Sequence, residues 1–79
     1  MTMELNQAFG EVLRKLRKDA KVSQEDLALK CGLDRTYIGL LERAKRQPTL
    51  STIFKIAYVL EIVPSDIIKQ VEQLVRDSD

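Results

Sequence analysis

The 79-residue chain carries thirteen Lys/Arg against twelve Asp/Glu, no histidine and one cysteine. Its 44% hydrophobic and 32% charged residues describe one small folded domain, residues 1–79, rather than a disordered or disulfide-stapled chain. No run approaches the roughly 18 apolar residues of a membrane span, and MTMELNQAFG lacks a signal peptide's apolar segment, so a cytoplasmic protein with no membrane partner is expected.

Apolar residues recur at helical spacing nearly throughout, and no window alternates long enough for a strand. The expected fold class is all-α, five helices with short connections. In the first, about 6–20, Phe9, Val12, Leu13 and Leu16 form one apolar face, Arg14, Lys15 and Lys18 the other, and Asn6 is the candidate N-cap. Ser23 starts the second, about 24–31, because its hydroxyl can accept from the backbone N–H of Asp26, while Glu25 and Asp26 suit the positive helix end. Leu27, Ala28 and Cys31 face inward, and Gly32 supplies the left-handed residue that stops the helix.

Only Leu33 separates that stop from Asp34, which caps a third helix, 35–43, with Ile38 and Leu41 inward. Two short helices joined by a glycine turn of this length have the geometry of a helix-turn-helix. Gln47-Pro48 ends the following loop. Thr49 or Ser51 caps the fourth helix, 50–60, which buries Leu50, Ile53, Ile56, Ala57 and Leu60. Pro64 opens the fifth, about 64–76, with Ile67 and Ile68 expected inward.

Charge divides unevenly. Residues 1–52 carry ten Lys/Arg against seven acids, residues 53–79 three against five. The basic residues concentrate in Arg14–Lys21 and Arg43–Arg46, the footprint of an anion-binding face or of a solvated helix surface. Without histidine, with Cys31 alone and with Gly10, Gly32 and Gly39 too scattered for a phosphate-cradling loop, no metal, no cofactor and no enzyme activity are expected.

Residues 8–68 resemble the Cro/phage-repressor (XRE-type) helix-turn-helix family. The resemblance is carried by Gln24-x3-Ala28-x3-Gly32-x5-Ile38-x2-Leu41-Glu42-Arg43, preceded by Leu13-Arg14-x-Leu16-Arg17 and followed by Pro48-x-Leu50-x2-Ile53 and Ile56-Ala57. It implies a lambda-repressor-like domain whose third helix lies in the major groove and reads base edges. Arg35, Thr36 and Gly39 are then the base-contact positions, although Gly39 stands where related proteins often carry a polar side chain. Gln24, Tyr37, Arg43, Lys45 and Arg46 are the phosphate-contact candidates, and Arg17 with Glu42 forms a bracing ion pair that removes Arg17 from the DNA-binding set. Arg14 and Lys18 are expected to be solvated.

The resemblance further implies a homodimer on double-stranded DNA with a roughly palindromic operator. At 79 residues the dimer is expected to come from the domain itself, through Val71, Leu74 and Val75. The size and the Asp34-Arg35-Thr36-Tyr37-Ile38 stretch are similar to controller proteins of restriction–modification systems. An activator would offer RNA polymerase Glu25 and Asp26, although helix capping explains both acids equally well. Two other readings stay open: an antitoxin that also binds a protein toxin, and a protein-interaction module without DNA binding.

Overall fold

In the computed structural model, which describes residues 3–78, five helices follow one another through connections of three to seven residues: α1 (Leu5–Asp19), α2 (Gln24–Cys31), α3 (Arg35–Glu42), α4 (Leu50–Val59) and α5 (Pro64–Asp77). No strand occurs among the described residues. Three of the starts are set by local side-chain chemistry. Ser23 Oγ accepts from the Asp26 N–H at 3.0 Å, Asp34 Oδ1 from the Thr36 N–H at 2.9 Å, and Thr49 Oγ1 from the Thr52 N–H at 3.1 Å. Each satisfies a helix-end donor that would otherwise have only water. The expected Asn6 cap is replaced: Glu4 occupies the N-cap without a side-chain bond, and the Ala8 N–H already reaches the Glu4 carbonyl at 2.9 Å, which puts Asn6 inside the first turn.

Four helices end alike. Beyond α1, α2, α3 and α4, Lys21, Gly32, Ala44 and Glu61 turn left-handed, at φ of 59°, 69°, 61° and 57°. In each case the next residue's N–H returns five positions, as from Leu33 to the Ala28 carbonyl at 2.8 Å and from Lys45 to the Leu40 carbonyl at 2.8 Å. Glycine occupies that conformation only after α2. The corner between α2 and α3 is thereby three residues long, Gly32-Leu33-Asp34.

Leu13, Leu27, Ile38, Leu41, Ile56 and Ile67 are the largest fully buried side chains, so all five helices share one core. α3 packs on α1 and α2, while α5 closes the other side against α1 and α4. At the α1–α3 crossing the two backbones touch: a Cβ at Gly10 would lie 2.6 Å from the Glu42 carbonyl oxygen and 2.7 Å from that of Leu41. On α5 the inward stripe differs from expectation. Ile67 and Val71 are buried, whereas Ile68, about 100° around the helix from Ile67, lies at the edge of the packed face and is 47% exposed.

Candidate nucleic-acid interface

Ile38 and Leu41, both fully buried, fasten α3 to the core. Its opposite side faces outward. Arg35 and Thr36 are exposed, Tyr37 and Leu40 are half-buried flanks, and Arg43, Lys45 and Arg46 are exposed at and beyond the helix end. Arg35 Nη1 lies 3.6 Å from Glu25 Oε2, but both side chains are about 70% exposed, so the pair is screened and exchanges readily with another anion or acceptor. The Arg46 guanidinium stands over the Tyr37 ring, 5.8 Å from its centroid, which draws these two residues of α3 and the α3–α4 connection together.

Behind this surface lies a buried ionic clamp. The Glu42 side chain has no exposed area and accepts from Arg17 Nε at 2.6 Å, Arg17 Nη2 at 3.1 Å and Gln24 Nε2 at 3.0 Å. Arg17 Nη1 donates to the Val22 carbonyl at 3.0 Å, so each of its three nitrogens is engaged. Burial pushes the Glu42 carboxyl upward. The hydrogen bonds from Arg17 and Gln24 and the charges of Arg17 and Arg14 more than reverse that, holding it below the usual carboxylate range. α1, the start of α2 and the last turn of α3 are thus tied at one carboxylate. Arg14, expected to be solvated, is 58% exposed yet leans its Nε to 3.7 Å from Glu42 Oε1.

Two placements correct the sequence reading, at Gly39 and Val71, and one adds to it, at Gln24. Gly39 is buried rather than open, because Arg43 and Gln24 lie across it. Gln24, a phosphate-contact candidate, gives one amide hydrogen to Glu42, which leaves its second hydrogen and the N–H groups that open α2. Val71, expected at a partner interface, is only 4% exposed and belongs to the core. Leu74 borders a groove between α1 and α5 with Val12 and Lys15, while Val75 lies in another groove beside Leu5 and Ile68. Leu29, Phe54, Tyr58 and Val63 are exposed elsewhere, and one outward apolar patch gathers Leu5, Leu50 and Ile68, at 61%, 72% and 47% exposure, around a cavity of about 240 Å³ bordered by Phe9, Ile53 and Val71.

Cys31 is buried, and burial pushes its thiol up against the opposing charge of Lys55, so it packs as a small apolar group. Among the described residues no His/Cys/Asp/Glu group could hold a metal ion, and no helix is long and apolar enough to cross a membrane.

Two short helices around a three-residue corner, the second presented outward within a basic border, define a helix-turn-helix domain of the DNA-reading class. The family model described as Helix-turn-helix matches residues 13–68, and the chain belongs to that family of DNA-binding transcriptional regulators. It is similar to Control protein C.BamHI of Bacillus amyloliquefaciens, 39% identical over 69 residues that cover 86% of this chain and 85% of that one. The restriction-modification controller protein C.AhdI from Aeromonas hydrophila superposes with a TM-score of 0.76 at 44% identity, covering 78% of this chain and 94% of that one. The controller C.Esp1396I, solved as a tetramer in complex with its natural 35 base-pair operator, superposes with a TM-score of 0.82 at 32% identity over 92% and 96% of the two chains. These relatives are regulators, not enzymes.

Proposed function

We propose that the chain is a cytoplasmic, homodimeric operator-binding regulator of the kind represented by the restriction–modification controllers, with α3 entering the major groove. The observation that carries this reading is the exposed Arg35–Thr36 edge, held from behind by the buried Glu42 clamp. A reading helix discriminates only if its angle to the body is fixed, and the clamp fixes it from three elements. Arg35 bonds guanine O6 and N7 through its fork, and Thr36 packs its methyl on a thymine methyl, the Arg35 pairing being worth about 1–3 kcal/mol against a wrong base. Lys45, Arg46 and the Tyr37 hydroxyl take flanking phosphates, which set register without carrying sequence. Gln24 joins them through its second amide hydrogen and the N–H groups that open α2.

One short helix reads too few base pairs for useful specificity, so a second copy is needed. Leu5, Leu50 and Ile68, with Val75 at their edge, supply the apolar face for it. Selection from random duplexes tests the whole reading. Two inverted half-sites about 10 base pairs apart, centre to centre, are expected. Unenriched sequence, or a solitary half-site, would refute it.

A further inference from the structure

Gly39 lies in the middle of the outer face of α3, one turn after Thr36 and one turn before Arg43. A Cβ built there would stand 3.1 Å from Arg43 Nη1, 3.8 Å from Arg43 Cζ and 3.6 Å from Gln24 Oε1. The Arg43 guanidinium is therefore folded back along the helix beside Gly39, where a Cβ would crowd it slightly and a larger side chain would displace it. It borders an open recess of about 350 Å³ together with Gln24, Arg35, Thr36 and Gly39. Among the described residues no carboxylate pairs with it, so its charge is uncommitted.

We infer that Arg43 is a base-reading residue rather than a phosphate contact, its guanidinium standing in for the side chain that Gly39 lacks. The inference rests on the operator-binding reading above and deepens it. A helical side chain leans over the turn N-terminal to its own Cα. Here the missing Cβ lets the guanidinium retreat toward the base-reading end of α3, beside Arg35 and Thr36. A planar fork in that position matches guanine O6 and N7 in the major groove.

Gln24 adds a second reason. The buried Glu42 carboxylate only accepts, so the Gln24 amide must turn its NH2 toward Glu42 and its carbonyl oxygen toward Gly39. That carbonyl oxygen, unlike the amide's second hydrogen, favours a guanidinium or the exocyclic amine of a base within the recess and offers nothing there to a phosphate oxygen. The recess is therefore bordered by the donors Arg35 and Arg43, by Thr36 and by the Gln24 carbonyl oxygen, donors beside acceptors as a base-pair edge presents in return.

The test compares wild type, Arg43→Ala, Arg35→Ala and Gly39→Val against the selected operator, its single base-pair variants and a random duplex, at one salt concentration. Arg43→Ala is expected to weaken operator binding about 5- to 100-fold, to change random-duplex binding by less than about 3-fold, and to abolish discrimination at one base pair per half-site that Arg35→Ala leaves intact. Gly39→Val places a side chain against the Arg43 guanidinium and displaces a group that is still present, so discrimination is lost at that same base pair. Thermal unfolding of each variant separates this from misfolding, and Arg43→Ala decides alone if the valine variant is unstable. Equal losses on operator and random duplex, with every base preference preserved, would make Arg43 a phosphate contact and overturn the inference while leaving the regulator reading intact. A wild type that prefers no duplex would overturn both.

Discussion

Glu42 Oε2 accepts from Arg17 Nε at 2.6 Å across the crossing of α1 and α3, and this pair sets the pose of the recognition helix. Arg17 is 11% exposed and Glu42 not at all, so neither charge regains much water if its partner is lost. Arg17→Met should lower the unfolding free energy by about 3 kcal/mol, since an uncompensated buried charge is the costly product. Urea unfolding measures this directly. For a domain of this size, with a total margin on the order of 5–10 kcal/mol, a loss below about 0.5 kcal/mol would mean that the carboxylate is adequately served by Gln24 and Arg14 alone.

The same carboxylate predicts an acid dependence. Its folded-state pKa is depressed, so its contribution is complete above the unfolded carboxyl value and disappears as pH falls through the folded one. Wild type should therefore lose stability progressively below about pH 4.5. Glu42→Gln, less stable at neutral pH, should show a flatter profile there, with the gap between the two proteins narrowing toward pH 3. A constant gap from pH 7 to pH 3 would contradict the depressed value.

Gly10 lies against the backbone of Leu41 and Glu42 and shows what a close approach demands. Its absent Cβ would meet two carbonyl oxygens within 2.7 Å, and backbone cannot swing aside as a flexible side chain can. Gly10→Ala gains about 1 kcal/mol of helix propensity but forces α3 outward, for a net loss of about 1–3 kcal/mol. Operator affinity should fall further than stability explains, because the displaced element is the reading helix. Denaturant midpoint and operator binding, measured on the same preparation, check both halves.

What the sequence reveals about this fold is what its local chemistry decides. Ser23, Gly32 and Asp34 are legible because each supplies a hydrogen bond or a backbone conformation within a few residues of itself, and the helix-turn-helix corner follows from them. Gly10 carries no such local sign; a glycine inside a helix says that something approaches closely without saying what. The left-handed turns at Lys21, Ala44 and Glu61 are equally silent, since none uses glycine. On α5 the apolar stripe of Ile67, Ile68, Val71, Leu74 and Val75 is wider than the core beneath it. Which edge is covered depends on where α1 and α4 pass, and only the packed structure places Val71 inside and Ile68 outside. The Gln24–Glu42 bond, spanning 18 residues, is likewise a product of packing.

Arg35 and Lys45 should separate by what they lose. Arg35→Ala is expected to reduce operator binding by about 1–3 kcal/mol while leaving random duplex nearly unchanged. Lys45→Ala should weaken every sequence alike and lower the slope of log affinity against log salt by about one unit, the release of one counterion. Electrophoretic mobility titrations at several salt concentrations read both effects. An equal loss on both duplexes for Arg35→Ala would place Arg35 on the backbone.

The partner face gives the last prediction. Ile68 is 47% exposed, stands beside Leu5 and Leu50, and makes no part of the monomer core, so a charge there is tolerated by the monomer and opposed by a partner. Ile68→Glu should sediment as a monomer with unchanged helix content, and its operator binding should weaken and depend more steeply on protein concentration, because two copies must now be brought together by the DNA. Leu74→Glu, by contrast, introduces its charge between α1 and α5, where Val12 and Lys15 border the groove. It should lower the melting temperature before it alters the oligomeric state. A dimer that survives Ile68→Glu but not Leu74→Glu would move the interface around α5 to the α1 side.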